Sequence, residues 1–68
     1  MTNTLLLEER IKKSGYKKGF IAQEIGLSTY ALSLKINNEY EFKASEINGL
    51  CNLLGIDTND RMAIFFAQ

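Results

Sequence analysis

The sequence predicts an all-α fold, a compact domain of four to five short helices around one small core. Three observations carry that expectation. Apolar residues recur at helical spacing, most clearly Ile47, Leu50, Cys51 and Leu54 at i, i+3, i+4 and i+7. The chain has no proline, and Gly15, Gly26 and Gly55 stand where the apolar repeats end. At 68 residues the chain is a single domain, residues 1–68. A chain this short buries only about 60% of its unfolded surface, so one compact core is the economical solution.

Residues 1–3 read as a loose terminus. Thr4 is placed to cap a first helix over residues 4–14, with Glu8 and Glu9 early and Lys12 and Lys13 late. That order suits the helix dipole. Leu7 and Ile11 are its expected core contacts, with Leu5 or Leu6 half-buried, and Gly15 ends it. Tyr16 is expected to pack between the first two helices, and Phe20 to lie at the edge of the next pair. Gly19 either costs its helix about 1 kcal/mol relative to alanine or lets the backbone approach an anion closely.

Residues 18–38, KGFIAQEIGLSTYALSLKINN, read as two helices joined by a tight turn. Ile21, Ala22 and Ile25 form a stripe ending at Gly26, which suits the left-handed residue that closes a helix. Leu27 is an apolar plug, and Ser28 is a good N-cap for a helix that repeats the stripe at Leu32 and Ile36. Ala22 is small, as a close crossing of two helices at one turn requires.

Residues 37–42 form a polar loop in which Asn38 suits a left-handed conformation. Phe42 is expected to plug the core and Tyr40 to be more exposed. A fourth helix runs over residues 44–54, poorly capped by Lys43, with Ser45 or a water compensating. Cys51 lies on its buried stripe and reads as a small hydrophobe. Gly55 stops the helix and Ile56 folds back. Asp57 or Thr58 then caps a fifth helix from about Asn59. The run MAIFF at residues 62–66 is too continuous for one helix face of a monomer. Part of it is expected to cover the core, and Ile64, Phe65 and Phe66 to meet a second copy; the pattern does not separate a continued helix from a short extended C-terminal tail there, and the tail is favoured.

The pattern of Ala22, Gly26 four later, Ser28, Leu32 and Asn37 resembles the helix-turn-helix of phage Cro/repressor-type regulators. The stretch SLKINNEYEF, with SEINGLCNLLGI after it, is similar to the segment beyond the motif in small Cro-like phage proteins. The likeness spans roughly Leu7 to Phe66 and implies a lambda-repressor-like helix-turn-helix domain, with the motif at about residues 18–37. Such a motif places its second helix in the DNA major groove. Carried over residue by residue, base contacts fall to Ser28, Thr29, Tyr30, Ser33 and Leu34, and phosphate contacts to Lys17, Lys18, Lys35, Asn37, Asn38 and Lys43. Leu34 departs from the polar residue common at its place in that family. No arginine or glutamine stands on the outer side for a bidentate base contact.

The chain has eight cations and eight anions, so net charge is zero and distribution must do what excess charge usually does. Arg10, Lys12, Lys13, Lys17 and Lys18 cluster early, while Glu39, Glu41, Glu46, Asp57 and Asp60 crowd the later half. Ordinary solvated helix faces would give the same pattern. With no histidine and one cysteine, a metal site of the usual kind lacks ligands and triad chemistry lacks its base. No catalytic residue, cofactor or metal is expected. The lone cysteine and the lack of a signal peptide point to a reducing cytoplasm, and no apolar run approaches the ~20 residues of a membrane span. The expected partners are double-stranded operator DNA and a second copy of the chain, in a repressor of a temperate phage. A protein-binding module, either anti-repressor or antitoxin, is the rival expectation.

Overall fold

The computed structural model describes residues 1–67. It contains five helices: α1 (Thr4–Ser14), α2 (Lys18–Glu24), α3 (Thr29–Ile36), α4 (Ala44–Leu54) and α5 (Thr58–Phe65). No strand occurs among the described residues. The expected all-α architecture is present. α1 touches α3, α4 and α5, while α2 lies mainly against α3 and also meets α4. Leu7, Ile21, Leu32, Ile36, Leu50 and Ile64 are fully enclosed where these helices converge. Burying a side chain of this kind contributes about 1.5–3 kcal/mol.

The turn between α2 and α3 has a specific closure. Gly26 adopts φ 78°, Leu27 N–H donates to the Ala22 carbonyl at 2.8 Å, and Gly26 N–H donates to that of Gln23 at 3.3 Å. Those two bonds satisfy carbonyls that the helix end would otherwise orphan. Leu27 then packs on the core as the expected plug. α3 ends the same way. Asn38 takes φ 66°, with Glu39 N–H on the Leu34 carbonyl at 2.8 Å.

Four sequence expectations change. Asn3, not Thr4, caps α1, its side chain accepting from Leu6 N–H. Thr4 Oγ1 instead donates to the Ile36 carbonyl at 2.6 Å. The amino-terminal residues are not loose: Thr2 is buried, and Asn3 N–H donates to the Ile64 carbonyl at 2.6 Å. At α4 it is Glu46, not Ser45, that compensates for the poor cap, accepting from Lys43 N–H at 2.8 Å.

The fourth change concerns residues 64–66. α5, capped by Asp57, stays helical through Phe65, so Ile64 and Phe65 form no extended tail. They are 2% and 4% exposed, enclosed within their own chain. Phe65 packs edge-on against Phe42 at 5.6 Å. Of the expected contact only Phe66 remains open to solvent; Gln68 lies outside the described residues.

Gly49 was not singled out by its sequence context, yet α4 crosses α2 there. A β-carbon at Gly49 would stand 2.9 Å from Ile25 Cγ2. Gly49→Ala is therefore expected to lower stability in urea unfolding, although alanine is about 1 kcal/mol better in a helix. A gain in stability would contradict the close crossing. Leu50→Ala, emptying a fully enclosed site, should cost ~2–5 kcal/mol in the same measurement.

Candidate nucleic-acid interface

α3 is capped by Ser28, whose Oγ accepts from Ala31 N–H at 3.0 Å. The hydroxyl proton of Ser28 stays available as a donor. One face of the helix is fixed by Leu32 and Ile36, both enclosed. The opposite face then has to point outward. Ser28 and Thr29 are exposed, Tyr30 is 74% exposed, and Asn37 is exposed at the far end. Ser33 and Leu34 are half-buried between them. A β-carbon on Gly19 would lie 3.5 Å from Thr29 Oγ1, so the start of α2 sits beside the start of α3. That is an ordinary contact distance, and no close approach demands glycine at position 19. Lys17 caps α2 with extended backbone and an exposed side chain. Behind it the Tyr16 and Phe20 rings pack at 5.0 Å.

The expected phosphate-contacting residues divide into three groups. Lys17, Lys43 and Asn37 are exposed, and neither lysine is in an ion pair among the described residues. Lys18 is paired with Glu8 at 2.9 Å, both side chains over a third exposed. A pair that open to water is worth about 0–1 kcal/mol and exchanges readily for a phosphate. Lys35 and Asn38 are engaged elsewhere. Lys35 Nζ lies 2.7 Å from Glu46 Oε1 with the two side chains 13% and 8% exposed. Asn38 clamps the amino-terminal residues, its Oδ1 accepting from Thr2 N–H and its Nδ2 donating to the Thr2 carbonyl, each at 2.9 Å. These two side chains, both expected at phosphates, are bonded within the chain and hold α3 in place.

The early basic cluster is also smaller than the sequence suggests. Arg10 donates to Asp60 at 2.8 Å and to the Gly55 carbonyl at 3.1 Å, tying α1 to α5 and to the turn before it. Lys12, Lys13 and Lys17 are the cations left unpaired there among the described residues. Beyond the end of α3, Glu39 and Glu41 are exposed. Lys17 therefore leaves positive charge at the start of the α2–α3 pair, while past its end Glu39 and Glu41 stand near the exposed Lys43.

Glu46 is the residue that sequence reasoning missed. Its signal was its place, the third residue of a helix lacking a capping hydroxyl, where a glutamate reaches back to the cap N–H. Burial pushes its carboxyl up. The hydrogen bonds from Lys35 and Lys43 N–H and the charges of both lysines outweigh that, holding it below the ordinary value of 4.5. A carboxylate depressed in the folded state stabilises the fold above its unfolded pKa, and that contribution is lost as pH falls through the folded one.

The chain belongs to the family described as "Protein of unknown function (DUF739)", whose pattern matches residues 4–68. No curated protein and no solved structure matches it significantly.

Glu46→Gln is expected to lower stability near neutral pH, with its deficit against the parent shrinking as pH falls below the ordinary carboxylate value of 4.5 and through the lowered folded one. Urea unfolding along that series is the check, and a deficit independent of pH would mean that the Glu46 charge does not stabilise the fold.

Proposed function

We propose that this member of the family is a sequence-specific DNA-binding regulator of transcription that reads operator DNA with the first turn of α3. The observation that supports this reading is the outward row of Thr29 and Tyr30 on a helix whose other face is fully buried. Thr29 and Ser33 offer hydroxyls to base edges or phosphates, and Ser28 a hydroxyl proton. Tyr30 spans to a phosphate or sets its ring on a thymine methyl. Leu34, half-covered, contributes an apolar contact at the rim.

Lys17 is the first phosphate contact, with Asn37 and Lys43 toward the other end and Lys18 recruited by exchange from Glu8. Without a bidentate arginine or glutamine on the row, discrimination at each base pair is modest and DNA shape carries part of it. One module buries about 600–1,000 Å² on DNA. Two copies on an inverted repeat, with half-sites about 34 Å apart, supply the rest. The resemblance to Cro-type proteins supports a cytoplasmic phage repressor, with binding rather than catalysis as its activity.

A second reading has one observation in its favour. Lys35 is withdrawn into an ion pair while Glu39 and Glu41 are exposed, which suits a module that binds another protein, as an anti-repressor or antitoxin does. Salt separates the two, because phosphate contacts release counterions.

Duplexes selected from a random pool at low salt provide the test. Tyr30→Ala should weaken binding about tenfold, roughly 1.4 kcal/mol, with the unfolding midpoint unchanged. Lys17→Ala should reduce the slope of log K against log salt by about 1 without altering sequence preference. Selection that enriches no sequence, or binding indifferent to salt, would reject the DNA reading in favour of the second.

A further inference from the structure

Phe66 caps the end of α5 and stands 52% exposed between two hollows. The smaller, about 130 Å³, reaches Asn38 and Glu41. The larger, about 240 Å³, reaches Ala44, Asn48 and Arg61. Phe42, Ile47 and Phe66 wall both, so the two form one groove over the start of α4 and the end of α5.

We infer that this groove is where a second copy of the chain docks, with Phe66 of each protomer entering the larger hollow of the other. The patch holds both a knob and a hole, and a two-fold contact needs a surface complementary to itself. An apolar cavity of about 150 Å³ takes a benzene ring, and the 240 Å³ hollow has room for the Phe66 phenyl. The charges are complementary to themselves as well. Glu41 lines the smaller hollow and Arg61 the larger, where its guanidinium donates to Asn48 Oδ1 at 2.8 Å, and neither is in an ion pair among the described residues. A two-fold axis through the shared wall exchanges the ends and brings Glu41 of each copy to Arg61 of the other. A uniformly acidic or basic partner would match only one end. Phe66 is also carried on a fixed support, since Ile64 and Phe65 are locked in the core, and little ordering entropy is lost on docking.

The inference rests on the pairing invoked for two half-sites, but it is tested without DNA. Sedimentation equilibrium of the full chain should show a mass rising with concentration toward twice 7.7 kDa. Phe66→Asp should hold the mass at one chain while retaining the parent's unfolding transition. Glu41→Arg should do the same, and adding Arg61→Glu to it should bring the doubled mass back. The charge pair decides the matter if Phe66→Asp does not fold. A parent that stays at one chain mass at millimolar protein overturns the inference, as does a doubled mass in Phe66→Asp or a double reversal no better than the single one. A parent of doubled mass that ignores DNA would support this interface while removing the DNA reading. Salt-dependent binding by a strictly single chain would do the reverse.

Discussion

The carboxylate of Glu46 holds the start of α4 and the last turn of α3 together. It accepts at once from Lys35 Nζ and from the N–H of Lys43. An ion pair this enclosed adds little net stability, because desolvation consumes most of the attraction, but removing either partner costs ~3–5 kcal/mol. Its effect is to fix position. Asn38 and Thr4 add bonds from the amino-terminal residues to the same end of the helix. α3 is therefore anchored by its C-terminal end and by Leu32 and Ile36 beneath, and Thr29 and Tyr30 on its first turn are exposed. An exposed first turn on a helix anchored at its other end results from where these bonds fall.

Much of this domain was legible in the residues themselves. The stripes at Leu7 and Ile11, at Leu32 and Ile36, and at Ile47, Leu50 and Cys51 are all buried as the 3.6-residue period requires. Ser28 caps and Gly26 closes through their own chemistry, and Asn38 takes the left-handed conformation its side chain tolerates. These are local properties. What was not legible depends on residues distant along the chain. Asn3 and Thr4 can both cap a helix, and the choice fell on Asn3 because Ile36 offers Thr4 a carbonyl. The run at residues 62–66 carries no period, so helix and strand were not distinguishable, and α1 and α4 together with Phe42 provided the cover that hides Ile64 and Phe65.

The lysines show the same limit at the candidate site. Lys17 and Lys35 look alike in the sequence, yet one is free in solvent and the other is committed eleven residues further on. Zero net charge changes meaning once the pairs are known. Arg10, Lys18 and Lys35 are matched internally by Asp60, Glu8 and Glu46. What remains is a mixed surface, Lys12, Lys13 and Lys17 with Glu9 and Glu24 in the earlier half, and Lys43 and Arg61 with Glu39, Glu41 and Asp57 beyond α3. A surface so nearly balanced has little non-specific attraction for a polyanion.

The most direct measurement of that account is a map of amide shifts in isotope-labelled protein as a duplex selected from a random pool is added. The account predicts that the largest changes fall on Lys17, Ser28, Thr29, Tyr30 and Ser33, with the amides of Leu50 and Ile64 nearly still. Changes confined to α5 and the 39–43 loop, or none at all, would contradict it.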